Sequence, residues 1–190
     1  MKILVLTVVA MMIGAGPQAQ APAAGAQAAA AAPAPYRGVA RDVEFLYKGS
    51  FQQIIRAATT MPAADFQFKP RPDAVSFANL VKQAVDGEHA ACDEVNNTPA
   101  ADRGKVPDET ASKDDFMAAL QVASAACDKA YADMSVENFT ELKVSGNTQR
   151  GRLSILAWNY AHNSQLFGTM VEYLAEKGLK MPAPAGRGGR

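Results

Sequence analysis

Apolar residues recur every three or four positions in four separate stretches of this chain, and no stretch reads convincingly as a strand. This periodicity restricts the fold more than any other feature, because amphipathic helices bury their apolar stripes against one another. The first stretch runs from about Arg41 to Met61, with Val43, Leu46, Tyr47, Ile54, Ala58 and Met61 in helical register, and Pro62 stops it. The second starts at Ser76, a good N-cap, and reaches about Asn96, with Phe77, Leu80, Val81, Ala84, Ala91, Cys92 and Val95 on its inner side. The third opens at Ser112, with Asp114 and Asp115 in the turn where the helix dipole favours negative charge. Its inward positions are Phe116, Leu120, Ala123, Cys127, Ala130 and Met134. The fourth spans Asn147 to Gly178, with Thr148 as candidate cap and Gly178 and Pro182 as stop signals. The expected fold class is therefore all-α, a four-helix bundle. Each connector is long enough to cross the bundle, so helix direction is left open. In the first connector Phe66 and Phe68 are too apolar for a free loop and are expected to pin it against the helices.

The N-terminus reads MKILVLTVVAMMIGAG: Lys2, then an uncharged apolar run too short to span a bilayer comfortably, then small residues. This is the pattern of a secretory signal peptide over residues 1–28, with Ala19-Gln20-Ala21 and Ala26-Gln27-Ala28 as cleavage candidates and a retained anchor as the alternative. Low complexity begins near Pro17, and residues 29–36 read as a flexible Ala/Pro-rich linker. The bundle is expected over residues 37–181 and a flexible basic tail over 182–190. The expected location is periplasmic or secreted, with no stable membrane span after signal removal. Basic and acidic side chains balance at 19 each, so bulk charge gives no support for nucleic acid as a partner.

Cys92 and Cys127 are the only cysteines, at nearly the same distance from Ser76 and Ser112 respectively. Parallel second and third helices would bring them to one level for a disulfide, whereas antiparallel helices would leave two buried thiols. The fourth helix has polar residues, Asn159 and His162, interrupting a stripe otherwise suited to burial. There is no Gly-rich phosphate loop, no Cys-x-x-Cys pair and no nucleophile elbow.

The stretches MPAADFQFKPRPDAVSFANLVKQAVDGEHAAC and AHNSQLFGTMVEYLAEKGLKMPAPAGR resemble the DinB/YfiT-like superfamily of four-helix bundles, in particular its exported bacterial members. The family's counterpart of the second stretch is a His-x-x-x-His helix, then a Tyr-Leu-x-x-x-Gly stretch and a proline-rich exit. The resemblance implies a bundle that in many members holds a divalent metal with three histidines, one on helix two and two on helix four. In some members it implies a thiol-dependent transferase or isomerase. It places the three metal positions on Gln83, His162 and Leu166, of which only His162 keeps an imidazole. His89 lies six residues beyond Gln83 and does not align with the missing ligand; Asp86, foremost, then Glu88 or His89 are the nearest substitutes. The exported members also carry cysteines matching Cys92 and Cys127, which implies a bridge.

Leu166 supplies no donor and Gln83 only an amide oxygen, a poor match for zinc or nickel. No cofactor is therefore expected, with Zn or Ni the alternative. His162 is expected as a partly buried histidine bonded to Gln83 or a nearby Asn. The functional counterpart is a small-molecule pocket lined by Gln83, Asn159, His162 and Asn163. A third reading makes His162 an acid/base group without metal, but no nucleophile or orienting carboxylate stands beside it in sequence. The expected function is an exported binding or structural module with a degraded metal site, taking an unknown small molecule or protein, with a homodimer left open. The alternative is a divalent-metal-dependent thiol transferase or isomerase.

Overall fold

The structure, a computed structural model, describes residues 38–145 and 147–182. The expected signal peptide and linker, and the tail beyond Pro182, lie outside the described residues. Four long helices dominate: α1 (Val39–Thr60), α2 (Phe77–Glu88), α3 (Lys113–Ala132) and α4 (Arg152–Glu176). α2 continues through a π-helical turn, His89–Asp93, and a closing α-turn, Glu94–Asn96.

The helix starts follow from local chemistry. Ser76 Oγ accepts from the Asn79 N–H at 3.0 Å. Ser112 and Asp115 form a reciprocal capping box, satisfying donors the helix itself cannot. The ends use left-handed residues, Asn97 at φ 55° after α2 and Gly178 at φ 68° after α4.

Hydrogen bonds between helix ends set their directions. Ser76, at the start of α2, donates to Glu109, just before α3, and Asn96, at the end of α2, donates to the Ala126 carbonyl. α2 and α3 are therefore parallel. Lys113 donates to the carbonyls of Thr59 and Met61, so α1 ends where α3 begins and runs the other way. At α4, Arg152 reaches the carbonyls of Asp133 and Val95, while Tyr173 reaches that of Val75. α4 is thus antiparallel to α2 and α3 and parallel to α1. The connector 97–112 must run back along the bundle to join two parallel helices.

Three expectations need correction. A strand pair is present: β1 (Leu142–Ser145) and β2 (Thr148–Gly151) form an antiparallel hairpin with Leu142 opposite Gly151. Thr148 lies in that hairpin, and α4 begins only at Arg152 after an N-cap at Gly151. On α1, Leu46 is 43% exposed, although its neighbour Tyr47 is buried.

The core runs the length of the bundle. Tyr47 and Tyr131 stack with ring centroids 4.1 Å apart, and Phe66 meets Phe77 edge-on at 5.4 Å. Phe66 is buried, and Phe68 is half-buried against the edge of Tyr173, so the first connector is pinned as expected. Among the described residues, no helix is long and apolar enough to cross a membrane.

Candidate functional site

The polar residues of α4 point in two directions. Asn159 and Asn163 are four residues apart, share one face, and are both fully buried. His162 is turned off that face and is half-buried against α2. Gln83, Asn159, His162 and Asn163 therefore do not line one pocket: Gln83 and His162 meet at the α2–α4 surface, while the two asparagines enter the core.

At the surface position, His162 Nε2 lies 3.3 Å from the carbonyl oxygen of Gln83. A carbonyl can only accept, so Nε2 donates in this contact and the lone pair of the neutral ring sits on Nδ1. The ring fits because Gly87 has no side chain: a Cβ there would stand 2.6 Å from His162 Cδ2. On the other face Trp158 stacks on the imidazole at 5.0 Å. Gln83 spends its amide on Asn79, donating at 2.7 Å, and Asp86 pairs with Lys82 at 2.6 Å. Leu166 is 5% exposed and belongs to the core. This donor set does not fit the three-imidazole metal centre that the resemblance implies.

The buried face is built around Glu88 and the sulfurs. Cys92 and Cys127 are joined by a disulfide with Cα atoms 4.9 Å apart, as parallel helices allow. Glu88, wholly buried, accepts from the Tyr47 hydroxyl at 2.9 Å and from Asn163 Nδ2 at 2.6 Å. Desolvation pushes its carboxyl up to about 7, overriding the hydrogen bonds from Asn163, Tyr47 and Asn159 that favour the ionised form. Burial, reinforced by the nearby Glu88 charge, likewise drives the Tyr47 and Tyr131 hydroxyls far above their ordinary range. Asn159 Nδ2 sits 3.8 Å from each sulfur, and the Oδ1 atoms of Asn159 and Asn163 are buried without a partner among the described residues.

A third constellation occupies the π-helical turn. His89 Nδ1 lies 2.9 Å from Asp93 Oδ2, and both side chains are buried. The extra residue in such a turn rotates the side chains that follow, and π-turns recur at functional positions. The other ring nitrogen, Nε2, is buried and unpartnered among the described residues. Gly104 of the 97–112 connector covers it: a Cβ at Gly104 would fall 2.6 Å from Nε2. Beside this pair opens a cleft of about 420 Å³, lined by His89, Asp93, Asn96, Thr98, Asp102 and Lys129 among others. A carboxylate-oriented imidazole of this kind can donate to or accept from a polar ligand. In the sequence the signal for this pair, absent from the candidate residues above, is the four-residue spacing of His89 and Asp93 on one helix. From sequence Glu88 stands out only as a substitute metal ligand, since its buried partners Tyr47 and Asn163 come from two other helices.

No protein-family model matches this chain. No curated protein matches it either. Among solved structures, a DinB-like protein from Bacillus cereus superposes with a TM-score of 0.65 at 10% sequence identity, over 78% of this chain and 99% of that one. The likeness is one of fold: the helices here form a DinB-like bundle.

Proposed function

We propose that this DinB-like bundle is an exported binding module that does not run three-histidine metal chemistry. The observation that carries this reading is the loss of two of three donors: Leu166 lies in the core and the Gln83 amide is spent on Asn79. A metal-dependent thiol transferase or isomerase, the alternative, needs donors at all three of those positions. Export is supported by the signal-peptide pattern of residues 1–28, and the low-complexity segment after it supports a tethered domain. The seat for a small polar ligand is the cleft beside His89 and Asp93, whose lining also includes Asn96, Thr98, Asp102 and Lys129.

Metal analysis of untagged, disulfide-bonded protein tests the first part. Zinc and nickel are expected well below one per chain. A stoichiometric ion that disappears in His162→Ala would restore the enzyme alternative. For the second part, a fragment library can be followed through the ring-proton resonances, which two histidines keep simple. Shifts confined to His89 support the cleft; shifts confined to His162 would move the seat to the α2–α4 surface.

A further inference from the structure

Three helices deliver soft and hard donors to one point inside the bundle. One ligand atom each from Glu88, Cys92 and Cys127 lie within 4.8 Å of one another, and all three residues are fully buried. Glu88 and Cys92 share a face of the α2 run at a four-residue spacing, and Cys127 meets them from α3. From α4, the Asn159 amide faces both sulfurs and approaches the Glu88 carboxyl. Its Oδ1 has no partner among the described residues, and half a turn of the amide exchanges oxygen for nitrogen. Sites in bundle cores are commonly assembled in this way, from side chains on facing helices.

We propose that reduction of the Cys92–Cys127 bridge converts this point into a site for a zinc-type divalent cation. Its ligands are the two thiolates and the Glu88 carboxylate, with the Asn159 amide oxygen as a weak fourth contact only. In the bridged form the sulfurs carry no charge and ligate weakly. A phosphine supplies two electrons and the S–S bond breaks; one water gives its two protons to the sulfurs as two thiols and its oxygen to phosphorus as the phosphine oxide. A divalent cation then displaces those two protons as two metal–sulfur bonds form. Zinc–thiolate bonds of about 2.3 Å in tetrahedral geometry need sulfurs roughly 3.8 Å apart, so the two side chains must rotate away from each other once the bridge is broken. Two thiolates and a carboxylate match the ion with one negative charge left over, facing the Tyr47 hydroxyl and the Asn163 amide, which orient the carboxylate. These ligands share nothing with Gln83, His162 and Leu166, so the inference goes beyond the function proposed above and does not depend on it.

The test uses the full untagged chain, reduced with a phosphine under anaerobic conditions, freed of reductant and titrated with cobalt(II). Tetrahedral thiolate coordination gives sulfur-to-cobalt charge-transfer and intense ligand-field bands. The expected result is one cobalt per reduced chain, displaced by one zinc, and none in the bridged protein. Glu88→Gln is expected to weaken binding at least ~10-fold, and His162→Ala to leave it unchanged. The proposal is overturned if reduced protein shows no charge-transfer band, or if Glu88→Gln binds as tightly as the parent chain. Where the reduced chain loses helicity, zinc must restore it by circular dichroism; failure to do so also overturns the proposal. An ion in the bridged protein that His162→Ala removes would count against the function proposed above, not against this site.

Discussion

Replacing Glu88 by glutamine probes the buried polar centre most directly. The Glu88 carboxyl is raised from 4.5 to about 7 because burial strips its water, and Asp128 adds a smaller push in the same direction. The folded value lies above the unfolded one, so between about pH 4.5 and 7 the native protein holds a proton that the unfolded chain has released. The stability contributed by the neutral carboxyl is thus complete below that window and falls as pH rises through it, levelling off above about 7. A displacement of this size corresponds to roughly 3 kcal/mol. Glutamine keeps the shape and removes the ionisation. The unpartnered Oδ1 atoms of Asn159 and Asn163 can rotate to accept from its new amide hydrogens. Near pH 5 the variant is expected within about 1 kcal/mol of the parent, and near pH 8 more stable by up to about 3 kcal/mol. Urea unfolding followed by circular dichroism across this range, with the bridge intact, measures both. If the two proteins show the same pH slope, the carboxyl is not held neutral by burial and the reasoning fails.

Reducing the bridge in the absence of metal is expected to lower stability by about 4 kcal/mol, because it closes a loop with a sequence separation of 35; the unfolding midpoint with and without reductant gives the value. Gly87→Ala gains about 1 kcal/mol of helix propensity but drives a Cβ into His162, an overpacking cost of about 1–3 kcal/mol. A net loss is expected in the parent chain and a net gain in the His162→Ala background, read from a double-mutant cycle. Placing imidazoles at both departed positions, with Gln83→His and Leu166→His, is expected to create affinity for about one zinc per chain by equilibrium dialysis. The buried leucine lost at 166 is expected to lower stability by about 2–5 kcal/mol in the metal-free double variant.

Periodicity identified the helices because packing decided them. Phe77, Val81, Ala84, Cys92 and Val95 on α2, and every inward position named on α3, are buried. The hairpin escaped because its pattern is inverted: Leu142 and Val144 are 62% and 69% exposed, while Lys143 between them is 6% exposed. Lys143 is held there by Glu141 and by Asn97, which lies far away in sequence, and no local pattern announces that pairing. Helix directions were equally illegible, since they depend on bonds such as Lys113 to Thr59. At the candidate site, the family resemblance placed Gln83 on helix two and His162 on helix four, and His162 reaches the Gln83 carbonyl. What it could not convey was that Asn159 and Asn163 turn away toward Glu88, roughly 60–100° around α4 from His162.

Cys92 stands before the connector that returns along the bundle and Cys127 stands beyond it, so every peptide bond between them lies inside a covalent ring. A protease cutting the exposed residues Ala100 to Arg103 would sever the backbone without releasing either half. One fragment would hold α1 and α2, the other α3, the hairpin and α4, hooked together through sulfur. Such a clipped molecule would migrate as a single species until a reductant was added, and only then fall into two.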